Sequence, residues 1–223
     1  SGVHFALDFL QQQNRRVAGE PIVEPEITAR GKHVLVIGGG DTGSDCVGTS
    51  VRQGAASVTQ IEILPKPPEG ENPDTPWPYW PQVLKSSSSH EEGCERRWSL
   101  ASKAFVGNAK RQVTGVEVVE VAFTKGADGR MQMTESQQRE TLKADLVLLA
   151  MGFVHVRHEG LVQMLEVATD SRGNIAVDAN GQTSNPKLFA VGDAASGASL
   201  VVRAIAGGLQ TATAMDQFLK NNG

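Results

Sequence analysis

The sequence predicts an α/β fold built around a parallel sheet, and three observations predict it. Short runs that are apolar almost throughout, at 33–37, 145–150 and 188–191, have the composition of strands buried on both faces. Between the first of these and the next strand-like run, at 57–64, lies a segment of helical length at 41–53, so strand, helix and strand follow in order. The junction of that first strand and helix is Gly38-Gly39-Gly40-Asp41-Thr42-Gly43, a glycine-rich turn.

Each remaining element has its own local reason. Residues 3–18 place Val3, Ala6, Leu7, Leu10 and Val17 near one helical face, and Gly19 then Pro21 stop that helix. A loop through Pro25 and Thr28 leads to Gly31 and the first buried strand; Gly54 closes helix 41–53. Seven of the ten prolines fall within 65–81, together with Trp77, Tyr79 and Trp80. Proline at that density excludes helix and interior strand, so the segment is a long loop whose aromatics favour packing over disorder. Residues 113–124 and 131–136 alternate as strands with 126–129 as their turn. Residues 175–177 read as a further strand, and 200–219 as a closing helix weakened at Gly207-Gly208. No repeat of solenoid or propeller length is present.

Composition excludes several functions. The 223 residues carry 21 Lys and Arg against 25 Asp and Glu, a net charge of −4, which leaves no cationic surplus to hold a nucleic-acid backbone. The longest apolar run, 146–154, is about half the roughly 20 residues of a membrane helix. No charged-then-apolar leader opens the chain. Two cysteines, Cys46 and Cys94, are too few for a disulfide scaffold or a four-thiolate metal site. The expectation is a cytoplasmic protein with neither nucleic-acid nor membrane partner.

Gly38, Gly40 and Gly43 supply a G-x-G-x-x-G pattern in the right context, after an apolar strand and before a helix. The chemistry of a pyrophosphate needs those glycines: Gly38 for the tight turn, Gly40 for close backbone approach, Gly43 for helix–strand packing. Unpaired N–H groups at the helix start, from Asp41 and Thr42 onward, then face the anion. An acidic residue at the end of the second strand would favour NAD. Glu62 lies near that place, but Ile63 and Leu64 read as continuing the strand past it, and Lys66 then follows as a cation for a 2′-phosphate. The spacing therefore leans to NADPH, with NADH still open and Lys66 open as a solvated loop lysine.

Near the C-terminus, strand 188–191 delivers Gly192-Asp193 into a small-residue loop before the last helix. A carboxylate there can accept hydrogen bonds from ribityl hydroxyls, and helix-start N–H groups can face an electron-rich ring edge. The pattern resembles the C-terminal flavin motif of flavoproteins with two dinucleotide-binding domains; an Asp N-cap is the plainer reading.

Four stretches, 36–46, 60–68, 77–81 and 88–98, together with the 192–202 tail, resemble the small (β) subunit of bacterial NADPH-dependent glutamate synthase. The aromatic loop and the His90-Glu91-Glu92-Gly93 stretch are the specific part. The resemblance implies a Rossmann-like NAD(P)H-binding domain with antiparallel strands added (residues 31–151) and the partial second, FAD-type domain at 152–223. Residues 1–30 would be a helix and linker of the FAD domain. It implies hydride transfer from NADPH to FAD and onward flow through iron–sulfur clusters to a large subunit. That subunit makes L-glutamate from L-glutamine and 2-oxoglutarate. Gly152, Gly192, Asp193, Ser199, Leu200 and Val201 would lie at the flavin. Cysteine clusters and a first glycine fingerprint, both usual in the family, are not in these residues, and Val156 stands where a proline is usual. The chain is therefore expected to be the C-terminal part of such a subunit, inactive alone, and to pair with the missing FAD and iron–sulfur half or with another copy.

No side chain is named as catalytic, since hydride transfer needs none and the cofactors carry the chemistry. His90, Glu91 and Glu92 read as a solvated helix end closed by Gly93, not a metal or acid–base cluster. Cys46 reads as buried and structural, and Arg96 and Arg97 as surface ion-pairing residues. Two other functions stay open: a non-catalytic dinucleotide-binding or subunit-interaction module, and a related NAD(P)H reductase with another acceptor.

Overall fold

The computed structural model describes residues 1–73, 75–76, 83–126 and 130–222. The chain divides into two compact units, Ser1–Met151 and Gly152–Gly223.

The first unit contains β1 (Val3–Phe5), α1 (Ala6–Val17), β2 (His33–Ile37), α2 (Asp41–Arg52), β3 (Ser57–Ile61), α3 (Ser88–Glu91) and β4 (Glu95–Arg97). It continues through β5 (Leu100–Gly107), β6 (Val113–Lys125), β7 (Met131–Lys143) and β8 (Leu146–Leu149). Five strands form one sheet in the order β1-β8-β2-β3-β4, every neighbour pair parallel. The other three form an antiparallel sheet, β5-β6-β7.

Strand β2 shows why its sequence is apolar almost throughout. Successive side chains point to opposite faces, and here both faces are covered. Val34 and Val36 join Phe9, Cys46, Val47, Leu146 and Leu148 in one core, beneath α1 and α2. Leu35 and Ile37 join Ile61, Val116, Val118 and Val147 in the other, against the antiparallel sheet. Strand β8 alternates in the same way. Its register is secured at the entry, where the Asp145 carboxylate accepts the His33 N–H at 2.9 Å.

Several sequence expectations need correction. Residues 3–5 are a strand, not the first turn of a helix, because they pair with Val147, Leu148 and Leu149 at the sheet edge. Sheet pairing overrides the helical periodicity there. Residues 1–30 accordingly fall in the first compact unit with residues 31–151. Strand β3 ends at Ile61, three residues early, because the Glu62 carboxylate bonds the N–H groups of Gly39 and Leu64 and turns the chain. Strands β4 and β5 and the second half of β7 carry no apolar alternation; β7 is exposed along nearly its whole length. Pro65 to Pro73, Thr75 and Pro76 form no regular element, as their composition requires. The aromatic segment 77–80 lies outside the described residues, as do residues 127–129 of the expected 126–129 turn.

The second unit has a kinked turn, His158–Val162, running into α4 (Gln163–Leu165), then α5 (Asp193–Ser196) and the long α6 (Val201–Asn222). Its core is small: Val162, Val167 and Ile175, with Val156, Leu188, Ala190 and Ala194 packed against them. The strands expected at 175–177 and 188–191 are single bridges only, Thr169 to Ile175 and Gln182 to Phe189. Asp170 and Asp178 instead organise the loops, each carboxylate accepting two backbone N–H groups from residues two and four ahead. Helix α6 runs unbroken through Gly207-Gly208, and Val201, Val202, Ile205, Leu209 and Leu219 on it are exposed. Among the described residues no helix is long and apolar enough to cross a membrane.

The placement of α1 is testable through Phe9, which is completely buried. Phe9→Ala should lower the unfolding free energy of the protein by about 3–5 kcal/mol in a denaturant titration, while Leu7→Ala, on the exposed side, should change it by less than about 1 kcal/mol.

Candidate functional site

The glycine turn carries α2 away from the end of β2 at very short range. Gly38 has φ +122°, and a Cβ there would lie 2.2 Å from the Ala150 carbonyl oxygen. A Cβ on Gly43 would lie 2.2 Å from the Gly38 carbonyl oxygen and 2.8 Å from the Gln60 amide nitrogen. Both positions therefore need glycine for packing alone. Gly40 differs: its φ of −79° suits any residue, and a Cβ there would meet nothing within 4 Å. The space beside Gly40 is open, and it lies at the N-terminus of α2, which no side chain among the described residues caps. Twelve aligned peptide dipoles end there, with Asp41, Thr42 and Gly43 in the first turn.

Two side chains from the neighbouring strand hold the turn in shape. Buried Gln60 donates from Nε2 to the Gly38 carbonyl at 2.9 Å, and the Glu62 carboxylate accepts the Gly39 N–H at 2.6 Å. A cleft of about 210 Å³ adjoins them, lined by residues that include Gly39, Glu62, Leu64, Arg96, Arg97 and Trp98. Strand β3 ends at Ile61, so Glu62 stands at the strand's end and not inside it.

Cations gather around Trp98. Lys66 Nζ lies 5.6 Å from the ring centroid and bonds Glu69 at 2.9 Å; the Arg96 guanidinium lies 5.0 Å from the same ring. Arg96 donates to the Lys85 carbonyl at 3.0 Å and pairs with no carboxylate among the described residues. Arg97 is a bidentate ion pair with Glu140, at 2.9 and 2.7 Å, which holds the Glu140 carboxyl below its ordinary range. The ion-pairing role expected of both arginines thus fits Arg97 alone.

In the second unit Gly192 has φ +65° and passes close to Ala204, leading into Asp193 at the start of α5. The Asp193 carboxylate accepts the Ser199 N–H at 3.2 Å, closing the small-residue loop just ahead of α6. Asp193, Ala194 and Ala198 line a cleft with Phe153, His155 and Val156. Leu200 precedes α6, Val201 opens it, and both are exposed; Gly152, at φ +85°, has open space about its Cβ position. The structure thus brings Gly38–Gly43 together with Glu62 in one unit and Gly192–Val201 together in the other.

Residues 93–208 match the pyridine nucleotide-disulphide oxidoreductase family. The chain belongs to that family. A glutamate synthase small chain of the NADPH type from Mycobacterium tuberculosis is 46% identical over 98% of this chain and 44% of its own length. A glutamate synthase of the NADH type from Saccharomyces cerevisiae is 39% identical over 97% of this chain and 10% of its own. The chain spans somewhat under half the length of the small chain it matches. Among solved structures, the oxidoreductase FprA of Mycobacterium tuberculosis shares the fold, with a TM-score of 0.62 at 16% identity over 86% of this chain and 54% of that one.

For a member of this oxidoreductase family, the residues that sequence reasoning passed over are those shaping the glycine turn. Gln60 lies buried inside β3, where a side-chain amide needs a specific partner. His90 is not a solvated helix end: it is half-buried and hydrogen-bonded to Gln60 and Ser87. Cys46 is buried as expected, and burial pushes its thiol up to about 12, so it is inert. Among the described residues no group of three metal-ligating side chains occurs.

The turn's geometry separates its glycines by experiment. Gly38→Ala should destabilise the protein by at least about 2 kcal/mol, through positive-φ strain and the clash with Ala150, whereas Gly40→Ala should cost less than about 1 kcal/mol. Thermal unfolding of the two variants checks the contrast.

Proposed function

We propose that the first unit binds NADPH, with the pyrophosphate over Gly38–Gly43, as the electron-input part of a glutamate synthase small-chain oxidoreductase. The observation that carries the reading is the open space at Gly40, facing the uncapped N-terminus of α2, in a chain 46% identical to such a small chain. An anion there meets the N–H groups of the first turn of α2 and the positive end of the helix dipole. Gln60 and Glu62 keep the turn in shape, Gly38 and Gly43 allow α2 to start close to β2, and Gly40, Asp41 and Thr42 offer the backbone.

Lys66 and Arg96, both beside Trp98, are the residues for a 2′-phosphate. Glu62 at the end of β3 stands where ribose hydroxyls are read, which keeps NADH as a weaker ligand. In the second unit Gly192, Asp193, Ser199, Leu200 and Val201, with Gly152, are the residues for the flavin end of FAD. The Asp193 carboxylate is already fixed by the Ser199 N–H, as an acceptor for ribityl hydroxyls must be. When both cofactors are bound, NADPH supplies a hydride and FAD takes it up. The protein's share is binding, orientation and electrostatics. In the whole protein, iron–sulfur centres and a large glutamate synthase subunit are the onward partners, and L-glutamate is the product.

Gly40→Val tests the site. Valine suits the extended φ and ψ of Gly40, so the fold should persist while NADPH binding, read by calorimetry, falls at least about a hundredfold; unchanged affinity contradicts the assignment. Lys66→Ala and Arg96→Ala should each weaken NADPH roughly tenfold and leave NADH nearly unchanged. Equal effects on the two nucleotides would remove the 2′-phosphate role.

A further inference from the structure

The His90-Glu91-Glu92-Gly93 stretch, which the proposed site does not use, reaches the glycine turn through one buried side chain. His90 Nε2 lies 2.9 Å from the Gln60 side-chain oxygen, and Gln60 Nε2 lies 2.9 Å from the Gly38 carbonyl oxygen. On its other edge, His90 Nδ1 lies 3.2 Å from the Ser87 backbone nitrogen and 3.0 Å from the Ser87 hydroxyl, which is bonded in turn to the Ser44 hydroxyl of α2.

Two groups with a single possible role, the Ser87 N–H and the Gly38 carbonyl, set the directions at His90 and Gln60. The Ser87 N–H can only donate, so Nδ1 is the acceptor and the imidazole proton sits on Nε2. The Gly38 carbonyl can only accept, so the Gln60 amide presents its NH2 to Gly38 and its oxygen to His90. One neutral tautomer of His90 satisfies both ends. Capping α3 would need Nδ1 alone; the Nε2 arm serves only the glycine turn. The Cβ position of Gly43 lies 2.8 Å from Gln60 Nε2 and 2.2 Å from the Gly38 oxygen, so the first turn of α2 sits directly against this bond.

We propose that His90 is a positioning residue for the dinucleotide site: through Gln60 it holds the glycine turn in its binding conformation, and protonation of its ring releases that hold. The proposal rests on the reading of Gly38–Gly43 as the pyrophosphate site. An imidazolium carries a proton on Nδ1, which then opposes the Ser87 N–H. Arg96 from β4 is the charge that acts on the ring; of the other nearby charges in sequence, Glu91 ends α3 and Glu92 follows it, paired with Arg52 of α2. Burial, then the Arg96 charge, lower the pKa of His90 from its ordinary 6.5. The held turn binds fewer protons than the released one, so affinity is full above pH 6.5 and falls as pH drops through 6.5 toward the lowered value.

The test uses the full chain with ADP-ribose as probe, which has the pyrophosphate but no titrating 2′-phosphate. Wild type should lose roughly tenfold in affinity between about pH 7.5 and about pH 5.5. His90→Gln, which keeps an N–H donor for Gln60 and has nothing to titrate, should bind within roughly threefold of wild type at the higher pH and stay flat below it. His90→Ala should be weak at both. Matching profiles for wild type and His90→Gln would overturn the proposal. Gly40→Val separates the two readings: if it binds ADP-ribose like wild type, the pyrophosphate assignment fails. Hydrogen exchange of the 38–43 amides, compared at one pH without ligand, then decides the rest. Faster exchange in His90→Ala than in wild type supports the hold on the turn, and equal rates overturn it.

Discussion

The Gly38 carbonyl oxygen is the point around which the candidate site of the first unit is arranged. It lies where β2 has just ended and α2 is about to begin, and Gly43 from the first turn of α2 crosses within contact distance of it. Buried Gln60 supplies the hydrogen-bond partner of this half-buried carbonyl, at 2.9 Å. The same bond sets how closely α2 approaches the sheet, and so where its uncapped N-terminus opens. Helix geometry, turn chemistry and the candidate anion site are one constraint seen at three scales.

The sheet supplies the rigidity behind that point. With Val34 and Val36 facing the helices and Leu35 and Ile37 facing the antiparallel sheet, β2 is buried on both faces and cannot slip by one residue without inverting its pattern. Strand β3 lies beside it in parallel, with Gln60 paired to Val36, so the strand that needs support and the residue that gives it share a register. The second unit works differently. Its small core leaves loop shape to aspartate side chains, and Asp193 both starts α5 and closes the loop ahead of α6.

Most of the parallel sheet was legible in the sequence because strands buried on two faces announce themselves by composition. The glycine turn was legible from its spacing after a strand and before a helix; the structure places a steric demand on Gly38 and Gly43 and leaves open space at Gly40. What escaped had no local signal. Val3–Phe5 looked helical because its strand identity comes from β8, more than 140 residues away. The outer half of β7 is exposed and polar, so no alternation marks it. Residues 175–177 and 188–191 have strand composition without strand partners, and form single bridges. Gln60 and His90 were hidden for another reason: their roles depend on a meeting across 30 residues of sequence, which spacing alone does not disclose.

The proposed site places a pyrophosphate against the α2 N-terminus. Amide chemical-shift mapping by two-dimensional NMR, as NADPH is titrated into the protein, tests it most directly. The Gly39, Gly40, Asp41, Thr42 and Gly43 amides should show the largest shifts and saturate together at the affinity read by calorimetry. Saturable binding that leaves those five amides unmoved would contradict it.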